Sequence, residues 1–115
     1  MNKGSKDKAL IQHILDYCDE VEQTVSRFGN AFDSFNSDKI YRNAITMCIL
    51  QIGELAGHLS GEFTAEHSGI PWRSIKAMRN IAAHAYGSIS IPDVWDTINN
   101  DIPVLKEYCQ RLIKQ

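Results

Sequence analysis

The chain has 115 residues, 43% of them hydrophobic and 23% charged, enough to bury a core in one domain of ordinary globular composition. A net charge of −2 excludes the global basic field of a nucleic-acid binder. The three scattered cysteines, Cys18, Cys48 and Cys109, have neither metal-ligand spacing nor the even count of a disulfide framework.

Further exclusions follow from where the apolar residues fall. Residues 1–8 lack the apolar run of a signal peptide. The longest apolar stretch, 44–56, is interrupted by Gln51 and Glu54 and is too short to span a bilayer. One cytoplasmic domain over residues 1–115 is expected, with no membrane contact and with its cysteines as buried thiols.

Ser5 is a plausible N-cap for a long first helix. Leu10, Ile14, Cys18, Val21, Val25 and Phe28 recur at three- and four-residue intervals, one apolar stripe over several turns. Gly29 supplies the stop. Residues 31–35 read as a short connector, a single extra turn whose two phenylalanines plug the end of a bundle. Asn36 or Ser37 caps a second helix running to about Ser60, apolar almost all round in its middle and hence central. Gly53 and Gly57, one turn apart, predict close approach of another helix. Gln51, Glu54 and His58 draw a polar line through it. Two arrangements satisfy Glu54: an i,i+4 pair with His58, or an orientation toward Arg79 and His84 further along.

Residues 61–69 read as a polar loop. Ile70-Pro71-Trp72 opens a third helix with Pro71 at its first position and Trp72, Ile75, Met78 and Ala82 as its stripe. Gly87 ends it. Ile91-Pro92-Asp93 repeats the start signal for a last helix, striped by Val94, Ile98, Ile102, Leu105, Cys109 and Leu112. Pro103 removes a backbone donor, which predicts a kink near residues 99–102. No alternating strand pattern is present. The fold class is all-α, an antiparallel four-helix bundle with a short extra turn and a kinked last helix.

The chemistry-bearing stretch is Arg79-Asn80-Ile81-Ala82-Ala83-His84-Ala85-Tyr86. On a helix, Arg79 and Tyr86 share nearly one face, and Asn80 and His84 are neighbours one turn apart. Arg79 and His84 stand about 140° apart and roughly 7.5 Å along the axis, within reach of a leaning guanidinium. Between Glu66 and Asp93 there is no acidic residue, while His67, Arg73, Lys76, Arg79 and His84 all lie there. Such a window suits a small anion such as a phosphate, or is simply a solvated basic face. The chain offers no carboxylate cluster for a metal, no glycine-rich phosphate loop and no serine or cysteine set for nucleophilic catalysis. Arg79 and His84 are therefore the candidate acid/base and anion-binding pair.

Arg79, His84 and Tyr86 complete an R-x4-6-H-x-Y motif. With Tyr41-Arg42-Asn43-Ala44-Ile45, Gln51-Ile52-Gly53-Glu54, Ile70-Pro71-Trp72 and Asp93-Val94-Trp95 in this order, nearly the whole chain resembles the HEPN-domain ribonucleases of the HepT type, the toxin half of HepT–MntA (type VII) toxin–antitoxin pairs. The resemblance implies a HEPN-like bundle and a metal-independent endoribonuclease, with no cofactor and no DNA target, acting on RNA such as tRNA or mRNA. It implies a homodimer with a composite cleft where the motif helices of two protomers meet. Arg79 and His84 would be catalytic and Asn80 supporting, with Arg73 and Lys76 as further phosphate contacts. Tyr86 would be the tyrosine onto which an ATP-using, MntA-like nucleotidyltransferase antitoxin transfers AMP, silencing the toxin. A different reading is a non-catalytic, nucleotide- or substrate-binding partner subunit of a minimal nucleotidyltransferase. A third is a purely structural helical dimer.

Overall fold

The computed structural model describes residues 3–85 and 91–114; the side chains of Lys3, Ile81, Ala83, His84 and Ala85 lie outside that description. The described chain is helical throughout its regular parts, with no strand. It runs as α1 (Lys3–Phe28), α2 (Phe32–Ser37), α3 (Lys39–Gly57), α4 (Gly61–Glu66), α5 (Trp72–Ala85), α6 (Ile91–Asp96), a π-helical turn (Thr97–Asp101) and α7 (Ile102–Ile113). The long helices make the expected four-helix bundle, 45 × 25 × 23 Å. α3 is its centre, packed chiefly on α5 and α1, with α7 closing against α1.

Sequence pattern accounts for most of this. The stripes of α1, α5 and α7 are buried where the periodicity places them: Ile14 and Cys18, then Ile75, Met78 and Ala82, then Ile102, Leu105 and Cys109. α1 begins by Lys3, upstream of the expected Ser5 cap. It ends at Gly29, whose φ of 109° is the left-handed conformation a helix stop asks of glycine. The connector is a helical turn as expected, and Phe35 plugs the bundle end between the rings of Tyr41 and Trp95. Phe32, the second phenylalanine, lies at the rim, 37% exposed, edge-on to Trp95.

Three local expectations are corrected. The cap of α3 is Asp38, whose carboxylate accepts from the Ile40 and Tyr41 amides; Asn36 instead offers its carbonyl to Arg42, and Ser37 bonds back to Asp33. α3 stops at Gly57, three residues early, because Ser60 is taken as the cap of α4. Residues 61–66, expected as loop, form that helix. Ser60 Oγ accepts from Phe63 N at 3.1 Å, while buried Asp7 of α1 accepts from Ser60 N at 2.9 Å and Ser60 Oγ at 2.7 Å. A carboxylate 53 residues upstream, invisible to local pattern, is what holds this turn. The disturbance expected before Pro103 is present, and it takes the form of a π turn: the Ile102 amide reaches Thr97 O, five residues back. A proline cannot donate, and one wide turn absorbs the loss without opening the helix.

All three cysteines are buried and free. Among the described residues no helix is long and apolar enough to cross a membrane.

Candidate active site

Two consecutive residues of α3 seat the arginine of the motif. Gly53 is buried against α5, and a Cβ built on it would stand 2.6 Å from Arg79 N, 3.0 Å from Arg79 Cβ and 3.1 Å from Arg79 Cα. No side chain fits there, so the absence of one lets the two helices touch at Arg79. The next residue, Glu54, reaches the side chain, and its Oε1 pairs with Arg79 Nε. Of the two arrangements open to Glu54, the structure takes the one toward the motif. Gln51 does not join it; its amide lies 3.8 Å from Met47 Sδ on the same helix. Gly57, expected to share the close approach, meets nothing within 4 Å.

The ion pair is open to water, with the Arg79 and Glu54 side chains 59% and 42% exposed. Such a pair contributes about 0–1 kcal/mol to stability, because solvent screens it and two flexible side chains must be held. Its consequence is geometric. A guanidinium carries five N–H donors in a rigid fork. A carboxylate on Nε constrains the plane of that fork, and the terminal nitrogens carry the donors an anion would use.

The pair borders a groove of about 390 Å³ lined by Gly53, Glu54, Gly57, His58, Lys76 and Arg79. Lys76, one turn before Arg79 on α5, also borders a second hollow of about 440 Å³, beside Arg73, Thr64 and Ser68. The three cations expected to meet phosphate thus stand exposed along α5, with Lys76 between the two grooves. His58, which the sequence suggests only as a mate for Glu54, is a groove residue instead. Its separation from Arg79 by 21 positions leaves no local signal.

Asn80 is exposed on α5. The helix continues through residue 84, so the backbone places His84 one turn beyond Asn80, as the spacing requires. The imidazole of His84, and with it the expected hydrogen bond from Asn80, lies outside the described residues. So do Tyr86 and the Gly87 stop. Among the described residues no group of three or more His, Cys, Asp or Glu side chains is placed to hold a metal ion.

Comparisons with known proteins agree with this architecture. Residues 14–112 match the Ribonuclease HepT-like family. The chain is 30% identical to the protein named "Putative RNase TTE0752" of Caldanaerobacter subterraneus subsp. tengcongensis, over 94% of this chain and 95% of that one. It is 29% identical to "Probable ribonuclease HepT" of Thermococcus cleftensis, over 99% of this chain and the whole of the relative. It is 25% identical to "Putative RNase MJ1216" of Methanocaldococcus jannaschii, over 93% and 87%. No solved structure matches the chain.

Proposed function

We propose that this chain, which belongs to the HepT-like ribonuclease family, is an endoribonuclease toxin that cuts RNA by transesterification, with Arg79 and His84 as its working pair. The observation that carries the reading is the seating of Arg79: its backbone lies against Gly53, its Nε is held by Glu54, and the residue lines a groove together with Lys76. That seating supports an anion-binding role for the arginine, on the helix that carries His84.

RNA brings its own nucleophile, so the protein needs only to move protons and stabilise charge. The 2′-oxygen attacks phosphorus, the bond from phosphorus to the 5′ oxygen breaks, and the products are a 2′,3′-cyclic phosphate and a 5′-hydroxyl. His84 takes the 2′-OH proton or gives one to the departing 5′ oxygen, a task for a group titrating near neutrality. Arg79 stabilises the charge on the non-bridging oxygens through its fork. Asn80 supports the imidazole, and Lys76 and Arg73 hold neighbouring phosphates.

In this reading the protein works as a homodimer, doubling the cationic field that a net-acidic chain lacks. Tyr86 is the control point. A nucleotidyltransferase antitoxin of the MntA kind directs the phenol oxygen onto the α-phosphorus of ATP, with pyrophosphate leaving. The added phosphate and bulk oppose RNA binding.

The test is expression in cells and cleavage by purified protein. Arg79→Ala and His84→Ala are each expected to lower cleavage by about 100-fold or more and to relieve growth arrest, with unchanged helicity. Co-expression with the nucleotidyltransferase is expected to add adenylate mass that Tyr86→Phe abolishes. Undiminished cleavage by either alanine variant overturns the assignment.

A further inference from the structure

The structure assigns Glu54 the role of positioning residue for Arg79: it aims the guanidinium at the groove without itself touching RNA. This rests on the ribonuclease reading of Arg79 and adds to it a residue outside the motif.

Three observations converge on Glu54. It is the sole acidic residue within α3, set in a helix whose buried positions are apolar but for Thr46, so its carboxylate is not part of a general charged surface. It follows Gly53, the contact that brings the α5 backbone against α3 at Arg79 itself. Main chain and guanidinium of one residue are thus located by two neighbours in sequence, which ties the height of the arginine to its direction. Its contact is with Nε. Anchoring through Nε leaves the terminal fork whole, whereas a carboxylate on the terminal nitrogens would occupy the donors a phosphate needs. Among the described residues, Glu54 alone engages the guanidinium.

The neighbouring charges set what the loss of Glu54 looks like. Lys76 and His58 share the groove, so removing the carboxylate makes the site more cationic. RNA binding is then no weaker, while the fraction of bound complexes with a correctly aimed guanidinium falls. The signature is a lower kcat without a higher KM. A residue contacting RNA would raise KM instead, and a merely structural one would lower the melting temperature.

The experiment compares the full-length protein with Glu54→Ala, Glu54→Gln, Arg79→Ala, Arg79→Lys and the Glu54→Ala/Arg79→Lys double variant. The probe is a randomised-sequence single-stranded RNA carrying a fluorophore and a quencher. Glu54→Ala is expected to lower kcat by about tenfold or more, as misaimed catalytic groups do, with KM unchanged or lower and no loss of melting temperature. Glu54→Gln, which keeps an oxygen to accept from Nε, recovers part of that loss. In the Arg79→Lys background, where there is no Nε–H to anchor, Glu54→Ala changes kcat by less than about twofold. An unchanged or raised kcat in Glu54→Ala, a KM effect alone, or an equal fall in the lysine background overturns the inference. Should Glu54→Ala fail to fold, Glu54→Gln decides the same question through its own kcat and KM. No cleavage by the unaltered protein, or full cleavage by Arg79→Ala, overturns instead the ribonuclease reading beneath it.

Discussion

Gly53 and Gly57 look alike in sequence and differ completely in place. Both are helical glycines one turn apart, and each on its own implies a helix crossing. Only Gly53 has one, with Arg79 N 2.6 Å from where its Cβ would sit. Gly53→Ala must push α5 off α3 at the point where the motif arginine is seated, and is expected to cost about 1–3 kcal/mol of stability, as overpacking does. Gly57→Ala meets open space and is expected to stabilise by about 0.5 kcal/mol through helix propensity. Denaturant unfolding of the two variants side by side reads both signs; equal effects would mean that the helices do not touch at Gly53. The same pair shows why Glu54 could not be settled from sequence. His58 lies one turn away along the helix and Arg79 lies across the bundle, and only packing chooses between them.

Helices were legible where one face is apolar and illegible where a distant group holds the end. The stripes of α1, α5 and α7 follow from three- and four-residue periodicity; their middles are buried, and Leu10, Val25, Phe28 and Leu112 at their ends are half-buried. α4 has no buried residue and no stripe, so nothing in its own six residues announces it. Its start depends on Ser60, and Ser60 depends on the carboxylate of Asp7. Replacing Asp7 with alanine orphans the Ser60 amide and loosens α4 from α1. The expected cost is about 2 kcal/mol, the scale of hydrogen bonds to a charged acceptor. Thermal unfolding measures it, and amide exchange in residues 61–66 should rise before that of the bundle. The π turn before Pro103 is an intermediate case. A missing donor was foreseeable from one proline, but its accommodation as a π turn, with both Ile98 and Ile102 in the core, was not.

The whole molecule sets the behaviour of its thiols. Cys18, Cys48 and Cys109 arrive from α1, α3 and α7 at a common interior. Burial raises all three thiol pKa values, Cys109 to about 12 from an ordinary 9.0. For Cys48 the nearby Glu20 carboxylate, 2.9 Å from its sulfur, adds to burial. The fold therefore favours the neutral thiols. Their contribution to stability is whole below the ordinary thiol pKa and is lost as pH rises from there through the elevated folded values. Native protein at pH 8 is expected to leave its thiols unreacted with a disulfide reagent over minutes, and to release all three on adding denaturant. Stability should decline as pH is raised above about 9, near the ordinary thiol value. At the same scale, Lys106 of α7 bridges to α1 through Glu22 at 2.6 Å and Asp19 at 3.0 Å, which raises its pKa through those hydrogen bonds and weakens with pH in the same direction.

What sequence alone determined here is the set of helices with one oily face, the family and the spacing of Arg79, His84 and Tyr86. Each of these is written in short-range spacing or in ordered blocks of residues, and neither needs a third dimension. What the tertiary structure decided is which groups meet: Asp7 with Ser60, Asp38 rather than its neighbours at the head of α3, and above all Glu54 with Arg79 across the contact that Gly53 permits. Those pairings join residues from 2 to 53 positions apart, and their energies depend on distance in space. The apolar stripes bring the helices together, and only then do the polar residues between them acquire partners.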